Sequence, residues 1–240
     1  MSQLVKLLRS AGRATGRPTA GFGSRSQESA KKRLILIASL AKADAAAAKA
    51  AFAAGADLVE VVGGVSAADL KALTGAVDGP VGIAFSGGVT GADLESLDDS
   101  GVDYVTVEAG DVPASVFLLE NLAVVLEVKQ EFADTMLKML NFLPAKAVQV
   151  DSPGDIAGFT VKELMQKRVD RELINKPLLM KVGSGVKPPD AQLLALVGPN
   201  GLVVPAADVA AWKDAVADLK EPSDNDDETG GTISLKAPAA

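Results

Sequence analysis

The sequence predicts a compact single-domain (βα)8 TIM barrel of the α/β class. Eight short apolar runs alternate with eight helical stretches between residues 34 and 219. A strict order of strand and then helix implies parallel strands joined by right-handed crossovers. Eight such units are the number that closes a barrel, whereas doubly wound open sheets usually have fewer strands.

The predicted strands are rich in Val, Ile and Leu, as buried parallel strands are. They occupy residues 34–39, 57–62, 80–85, 103–108, 122–128, 147–151, 177–182 and 201–204. The predicted helices occupy residues 42–54, 66–77, 89–99, 112–119, 130–141, 160–173, 188–196 and 207–219. These elements leave only short loops between strand and helix. We therefore expect any ligand to bind in an open mouth with no inserted lid.

Composition limits the classes of function. Hydrophobic residues make up 48% of the 240 residues and aromatic residues only 4%, which favours a barrel packed by branched aliphatic side chains. The net charge of −7 argues against a nucleic-acid-binding protein, because phosphate backbones require a broad basic face. No apolar run approaches the ~20 residues that span a bilayer. We expect no transmembrane segment and a cytoplasmic location.

Two residue types are missing from the chain. It has no Cys and no His, which excludes disulfides, thiolate nucleophiles and the commonest general base and metal ligand. Carboxylate, Lys, Ser, Thr and backbone chemistry remains. We expect that no cofactor is required and predict no metal ligands, although Mg²⁺, which binds oxygen ligands, stays open.

Two segments flank the predicted barrel. Residues 1–33 form a basic N-terminal arm that begins with a short helical piece, and residues 220–240 form an acidic tail with a composition typical of disorder. For the arm, a helix capping the barrel bottom, a contact with a partner or membrane surface, and an organelle transit peptide stay open. The open mouth also favours a homo-oligomer.

Strand parity selects the candidate catalytic residues. A barrel strand sends alternate side chains inward and outward, and the catalytic groups of this fold collect at the C-terminal ends of the strands. Charged residues in the predicted strands should therefore face the interior or the mouth. This rule selects Glu60, Glu108, Glu127, Asp151 and Lys181. Because isolated buried charge is costly, we expect Lys181 to be the main buried cation and to face the four carboxylates.

Small and polar residues at the same strand ends are candidates for binding a substrate or a phosphate group. Gly183, Ser184 and Gly185 follow strand 7 and precede a helix, so their N–H groups and the helix dipole favour an anion. Phosphate-binding barrels use the loops after strands 7 and 8 in this way. The other candidates lie at the ends of strands 1, 3, 4 and 8 and are Ser39, Ser86, Thr106, Ala206 and Ala207.

Three short segments carry a family resemblance. Residues 55–62 (GADLVEVV), 101–107 (GVDYVTV) and 148–151 (VQVD) resemble strands 2, 4 and 6 of the phosphate-binding (βα)8 barrels, most of all (5-formylfuran-3-yl)methyl phosphate synthase. Residues 181–185 (KVGSG) resemble strand 7 of deoxyribose-phosphate aldolase, a class I aldolase barrel. The resemblance implies Lys chemistry on triose phosphates.

The match to these families is partial at the functional positions. Only Glu60, Asp151 and Lys181 correspond to their functional residues. Val62 and Thr106 stand where the synthase carries lysines, and Gln149 and Asp151 stand where the aldolases carry a Schiff-base lysine.

Two functions stay open from the sequence. The first is a lyase or isomerase acting on a small phosphorylated or carboxylated metabolite, with Lys181 as electrophile or proton carrier and Glu108 and Asp151 as acid/base partners. The second is a degenerate, non-catalytic barrel that binds a ligand or serves as an assembly component. The missing lysines favour the second function, and the clustered charges favour the first.

Overall fold

Eight parallel strands close into a barrel in chain order, with β8 hydrogen-bonded to β1. The computed structural model describes residues 2–13 and 34–219, apart from residues 98, 120, 130, 131 and 153. The strands are β1 Ile35–Leu40, β2 Leu58–Val62, β3 Val81–Ala84, β4 Tyr104–Glu108, β5 Ala123–Val128, β6 Ala147–Asp151, β7 Leu178–Lys181 and β8 Gly201–Pro205. The predicted (βα)8 barrel is confirmed, and all eight predicted strands are present.

The α-helices are α1 Gln3–Arg13, α2 Ala45–Ala54, α3 Ala67–Ala76, α4 Gly91–Glu95, α5 Asp134–Met139, α6 Val161–Leu173, α7 Ala191–Val197 and α8 Val209–Ala217. Short 3₁₀ segments are Ala114–Leu118, Leu140–Phe142, Pro188–Asp190 and Ala206–Asp208. The helix predicted at 112–119 is the first of these 3₁₀ segments, a geometry that proteins use in short pieces. No helix among the described residues is long and apolar enough to cross a membrane.

Strand parity divides the core into two layers. One set of strand residues, including Leu36, Val105 and Val107, packs outward against the helices. The alternate set, including Ile37 and Tyr104, fills the barrel interior. The outward set is apolar, as predicted, because the helices cover it.

Two glycines make room inside the barrel for large neighbours. A Cβ atom on Gly82 of β3 would lie 2.3 Å from the ring of Tyr104, and a Cβ atom on Gly201 of β8 would lie 2.3 Å from the side chain of Ile35. No real side chain tolerates such distances, since protein interiors are already close-packed. Gly82 therefore makes room for the Tyr104 ring inside the barrel, and Gly201 makes room for the Ile35 side chain.

Helix α1 closes the N-terminal end of the barrel. Its residues Leu4, Leu8 and Ala11 are at most 2% exposed and pack in the same cluster as the inward-facing strand residues. The Asp103 carboxylate, which comes just before β4, accepts hydrogen bonds from the backbone N–H groups of Gln3 (2.7 Å) and Leu4 (2.8 Å). The first N–H groups of a helix have no hydrogen-bond partner within it. Asp103 therefore caps α1 from a segment that is distant in the sequence.

Replacing Asp103 by alanine is expected to lower the free energy of unfolding by about 1 kcal/mol, the usual cost of losing a helix cap. Thermal and urea unfolding measure the change. The matched control is Asp78→Ala, because Asp78 is an exposed aspartate at the same end of the barrel. Equal stabilities for both variants would contradict the capping role.

Residues 14–33 and 220–240 lie outside the described residues. They carry most of the predicted basic arm and the acidic tail. The transit-peptide, partner-contact and disorder hypotheses for these segments therefore remain predictions.

Candidate active site

A polar layer crosses the barrel interior below its mouth. Glu60 of β2, Thr106 of β4 and Gln149 of β6 are each at most 1% exposed. The Thr106 hydroxyl donates a hydrogen bond of 2.8 Å to Glu60 Oε2. Gln149 Nε2 donates to Glu127 Oε1 on β5 at 3.4 Å. These contacts join residues from four different strands on the barrel axis.

Burial changes the protonation of this layer. Loss of hydration raises the pKa of Glu60 from its ordinary value of 4.5 to about 7, against the opposing effects of the Thr106 hydrogen bond and the positive charge of Lys181. Burial and the neighbouring Glu60 carboxylate raise the pKa of Tyr104 well above 10, so its phenol stays protonated. Glu60 is therefore a group that gains or loses a proton near neutral pH.

Lys181 and Glu127 form an ion pair at the mouth. Lys181 Nζ of β7 lies 3.5 Å from Glu127 Oε1, and the side chains are 42% and 14% exposed. The expectation that Lys181 is a buried cation is wrong, because its position at the last residue of β7 leaves the long side chain partly in solvent. Its carboxylate partner is Glu127, while Glu60 lies deeper and interacts with Lys181 through its charge.

A second ion pair lies on the neighbouring part of the rim. Lys129 Nζ, just after β5, lies 2.6 Å from Glu108 Oε1 at the end of β4. The Glu108 hydrogen bond raises the pKa of Lys129. Glu108 therefore pairs with Lys129 and not, as expected, with Lys181. Asp151 ends β6 next to Lys181 in the sheet register, but its side chain is exposed.

The loop after β7 differs from the predicted anion cradle. The Gly183 N–H donates a hydrogen bond of 2.9 Å to the hydroxyl of Ser152, which follows β6 and is buried. A Cβ atom on Gly185 would lie 1.9 Å from the carbonyl oxygen of Gly154. Both glycines therefore have structural partners in the preceding loop, and only Ser184 of this group is exposed without such a contact among the described residues.

The remaining candidates lie at the same end of the barrel, at the ends of β1, β3 and β8. Ser39 is half-buried at the mouth, opposite Glu60 and Pro205 in the sheet register. Ser86 is exposed just past β3. Ala206 is half-buried and Ala207 exposed in the 3₁₀ segment after β8. Their roles in binding a substrate stay predictions.

The acidic residues at this end of the barrel are spread around its rim. Among the described residues, no three acidic side chains come together in a group that could hold an ion. The Mg²⁺ alternative rested on such a group, since Mg²⁺ is bound by carboxylates together with substrate oxygens.

Two residues of the interior were missed as parts of the site. Tyr104 has the same strand parity as Thr106 and Glu108, and this signal could have placed its ring inside the barrel. Its hydroxyl is buried and interacts with the Glu60 carboxylate. Ser152 accepts the hydrogen bond from the Gly183 N–H. The sequence carried no signal for this contact, because it depends on how two loops meet.

The fold and the charged mouth define the class of this protein as a TIM barrel with a candidate site at the C-terminal ends of its strands. Among solved structures it is similar to phosphoribosyl anthranilate isomerase from Thermus thermophilus, with 14% identity and a TM-score of 0.57, over 78% of this chain and 100% of that chain. It is also similar to tryptophan synthase of Mycobacterium tuberculosis, with 16% identity and a TM-score of 0.60, over 90% and 93%. Thiamine phosphate pyrophosphorylase from Pyrococcus furiosus matches with 14% identity and a TM-score of 0.57, over 78% and 96%.

At these identities the likeness shows the fold alone. No protein-family model and no curated protein matches the chain. The likeness to (5-formylfuran-3-yl)methyl phosphate synthase stays a prediction. Two aspartates in the segments that resemble this family have a structural role in this chain. In the two Gly-x-Asp motifs, Asp57 accepts a hydrogen bond of 2.7 Å from the Leu36 N–H, while Asp103 caps α1.

Proposed function

We propose that the mouth of the barrel binds a small phosphorylated or carboxylated metabolite and catalyses a lyase- or isomerase-type reaction by proton transfer. The observation that carries the proposal is the partly exposed Lys181–Glu127 ion pair. It lies next to the buried Glu60, whose pKa is about 7. A cation beside a carboxylate can stabilise a developing anion while the carboxylate moves the proton. The similar solved structures include enzymes whose names contain a phosphorylated compound, which agrees with this substrate class.

The proton balance of the proposed step is simple. Glu127 takes a proton from a carbon next to a carbonyl group, and the electron pair of the C–H bond moves to the carbonyl oxygen. The Lys181 ammonium donates a hydrogen bond to the resulting enolate. In a substrate whose adjacent carbon carries a hydroxyl group, the hydroxyl proton moves to the enolate oxygen while Glu127 returns its proton to the former carbonyl carbon. The new carbonyl group then stands where the hydroxyl was, which completes an isomerisation. Glu60 is too buried to touch a substrate, so its role is to hold a proton and balance charge beneath the pair.

Exchange with solvent deuterium tests the chemistry. With a panel of triose and pentose phosphates and 2-oxo acids in D₂O, NMR should show deuterium incorporation next to the carbonyl of at least one compound. Glu127→Gln is expected to slow this exchange about a hundredfold or more, as loss of a general base does. Lys181→Met is expected to remove the increase in unfolding temperature that the bound compound produces.

The control for Lys181→Met is Lys49→Met, because Lys49 is an exposed lysine on α2, away from the mouth. It removes the same charge and should leave binding and exchange unchanged. Borohydride reduction with triose phosphates tests the Schiff-base version of the reaction, and an intact protein without a mass adduct on Lys181 ends that version. A panel without binding and without exchange rejects the catalytic proposal.

The second candidate, a non-catalytic barrel, is favoured by one specific observation. The Gly183 N–H that would contact a phosphate already donates to Ser152. Under this hypothesis a metabolite of the panel raises the unfolding temperature without deuterium exchange, or the whole panel has no effect on either measurement.

A further inference from the structure

A cavity of about 310 Å³ lies outside the barrel wall, between β5–β7 and helix α6. Its floor is formed by outward-facing strand residues that normally lie beneath a helix: Val128, Val150, Leu178 and Met180. Further apolar lining comes from Phe132, Leu137, Ile174 and Val197. The volume falls at the lower end of the ~300–1,000 Å³ typical of small-molecule sites.

Helix α6 presents its polar side to this cavity. Lys167, Asp170 and Arg171 line it, whereas Val161 and Met165 on another face of the helix are 75% and 63% exposed. No residue of α6 is buried. An amphipathic helix on a barrel normally turns its apolar stripe to the core. Leu164 and Leu173 of α6 still pack against the core, but the charged residues take up the rest of the inward face and line the cavity.

The charges of the lining favour an anion at the α6 side. The Arg171 guanidinium has five N–H donors, and its contacts with described residues use three, to the carbonyl oxygens of Gly198 and Ile174 and, at 3.5 Å, to Asn200 Oδ1. No carboxylate among the described residues lies within ion-pair distance of Arg171. A half-buried guanidinium whose hydrogen bonds go to neutral acceptors favours an anionic ligand, and the charge of Glu172 is the carboxylate effect that already acts on it among the described residues.

The neighbouring Lys167 adds a second cation. Its Nζ lies 3.5 Å from Asp170 Oδ2, and both side chains are 30% exposed. An ammonium group has three donors, so this single long contact leaves capacity for a ligand. Asp151 also lines the cavity, but it lies at the end of β6 and is exposed. Lys129, at the same rim, is paired with Glu108.

We infer that this cavity binds an amphiphile with an apolar chain and a single carboxylate, such as a medium-chain fatty acid. The apolar chain of the ligand lies on the strand residues Val150, Leu178 and Met180. This contact removes apolar surface from water and so favours binding. The carboxylate lies beneath α6 and accepts hydrogen bonds from Lys167 and Arg171, which charge makes about twice as strong as neutral ones. The ligand thus supplies an apolar contact to the strand residues and an anionic partner to Arg171, whose hydrogen bonds to described residues go to neutral acceptors.

This site is independent of the proposed function. Its strand residues face outward, whereas Lys181 and Glu127 act from within the barrel mouth. Variants at the mouth therefore leave the cavity intact, and the two proposals succeed or fail separately.

Calorimetric titration with octanoate, 1-octanol and octylammonium separates the contributions of chain and head group. Octanoate is expected to bind and to raise the unfolding temperature, and both other compounds should bind about tenfold more weakly, because they lack an acceptor with negative charge. Equal binding of octanol and octanoate would remove the role of the cations. Octanoate without measurable binding up to millimolar concentration overturns the proposal.

Two variants locate the site. Lys167→Met should weaken octanoate binding about fivefold or more, whereas Lys162→Met, a change to an exposed lysine on the same helix, should alter it by about twofold at most. Val150→Phe fills the floor and should also weaken binding about tenfold by exclusion. Its folding is checked by circular dichroism, and Lys167→Met carries the test if that variant is unfolded. Undiminished binding in Lys167→Met and in a folded Val150→Phe places the ligand elsewhere and contradicts the inference.

Discussion

Replacing Leu4 or Leu8 by alanine is expected to lower the free energy of unfolding by about 3 kcal/mol in each case. Both side chains are at most 2% exposed and pack on the inward-facing residues of the barrel. The decrease has two parts. The variant loses the free energy gained by burying the methyl and methylene groups that alanine lacks, and a cavity remains beneath the closed ring of strands. Because alanine is a good helix former, the change acts on packing and leaves the helix itself intact.

Urea unfolding followed by circular dichroism and by Trp212 fluorescence measures this effect. Trp212 lies on α8, in the outer layer, so its signal reports on the barrel and not on α1 alone. The matched control is Lys6→Ala, an exposed position on the same helix, which should change stability by less than about 0.5 kcal/mol. If the leucine variants match this control, α1 is not part of the cooperative core.

The sequence predicted the fold because its signals are local and repeated eight times. Alternation of strand and helix fixes the topology, and the two-residue period of each strand fixes which side chains face inward. Parity alone therefore places Glu60 and Thr106 in one interior layer. The short helical piece predicted at the start of the arm is α1, in which Leu4 and Leu8 lie on one face. The Asp103 cap has no local signal, because it joins segments about 100 residues apart.

The pairing of charges could not be predicted in the same way. Parity brings Lys181, Glu108 and Glu127 to one end of the barrel, but the choice of partner depends on height along the axis and on side-chain direction. Lys129 lies one residue beyond β5 and forms an ion pair with Glu108. Lys181 forms its ion pair with Glu127 instead. The inward position of Lys167 and Arg171 on α6 could not be predicted either, because an amphipathic pattern favours apolar residues on the face that meets the core.

The stability of the protein is expected to fall as the pH rises from about 5 to 8, and Glu60→Gln is expected to abolish much of that fall. The pKa of Glu60 is about 7 in the folded barrel against an ordinary 4.5. Below pH 4.5 the carboxyl group is protonated in both states. Between the two values the unfolded chain releases a proton that the folded chain retains, so the unfolding free energy decreases with pH.

The full cost is reached above pH 7, where the buried group is ionised in both states. The difference between the two pKa values, about 2.5, corresponds to about 3 kcal/mol. Glutamine has nearly the same shape, carries no charge, and its amide oxygen can accept the hydrogen bond that Thr106 donates to Glu60. At pH 8 the variant should therefore be more stable than the parent by up to about 3 kcal/mol, while at pH 5 the difference should be small.

Urea titrations at pH 5, 6, 7 and 8 measure this pH dependence in the parent and in Glu60→Gln. The control is Glu95→Gln on α4, where the side chain is exposed, and its pH profile should follow that of the parent. A gain in stability that is the same at pH 5 and pH 8 would show that Glu60 keeps an ordinary pKa. In that case the buried proton beneath the Lys181–Glu127 pair would be lost, and the mouth would have only its rim carboxylates for acid/base chemistry.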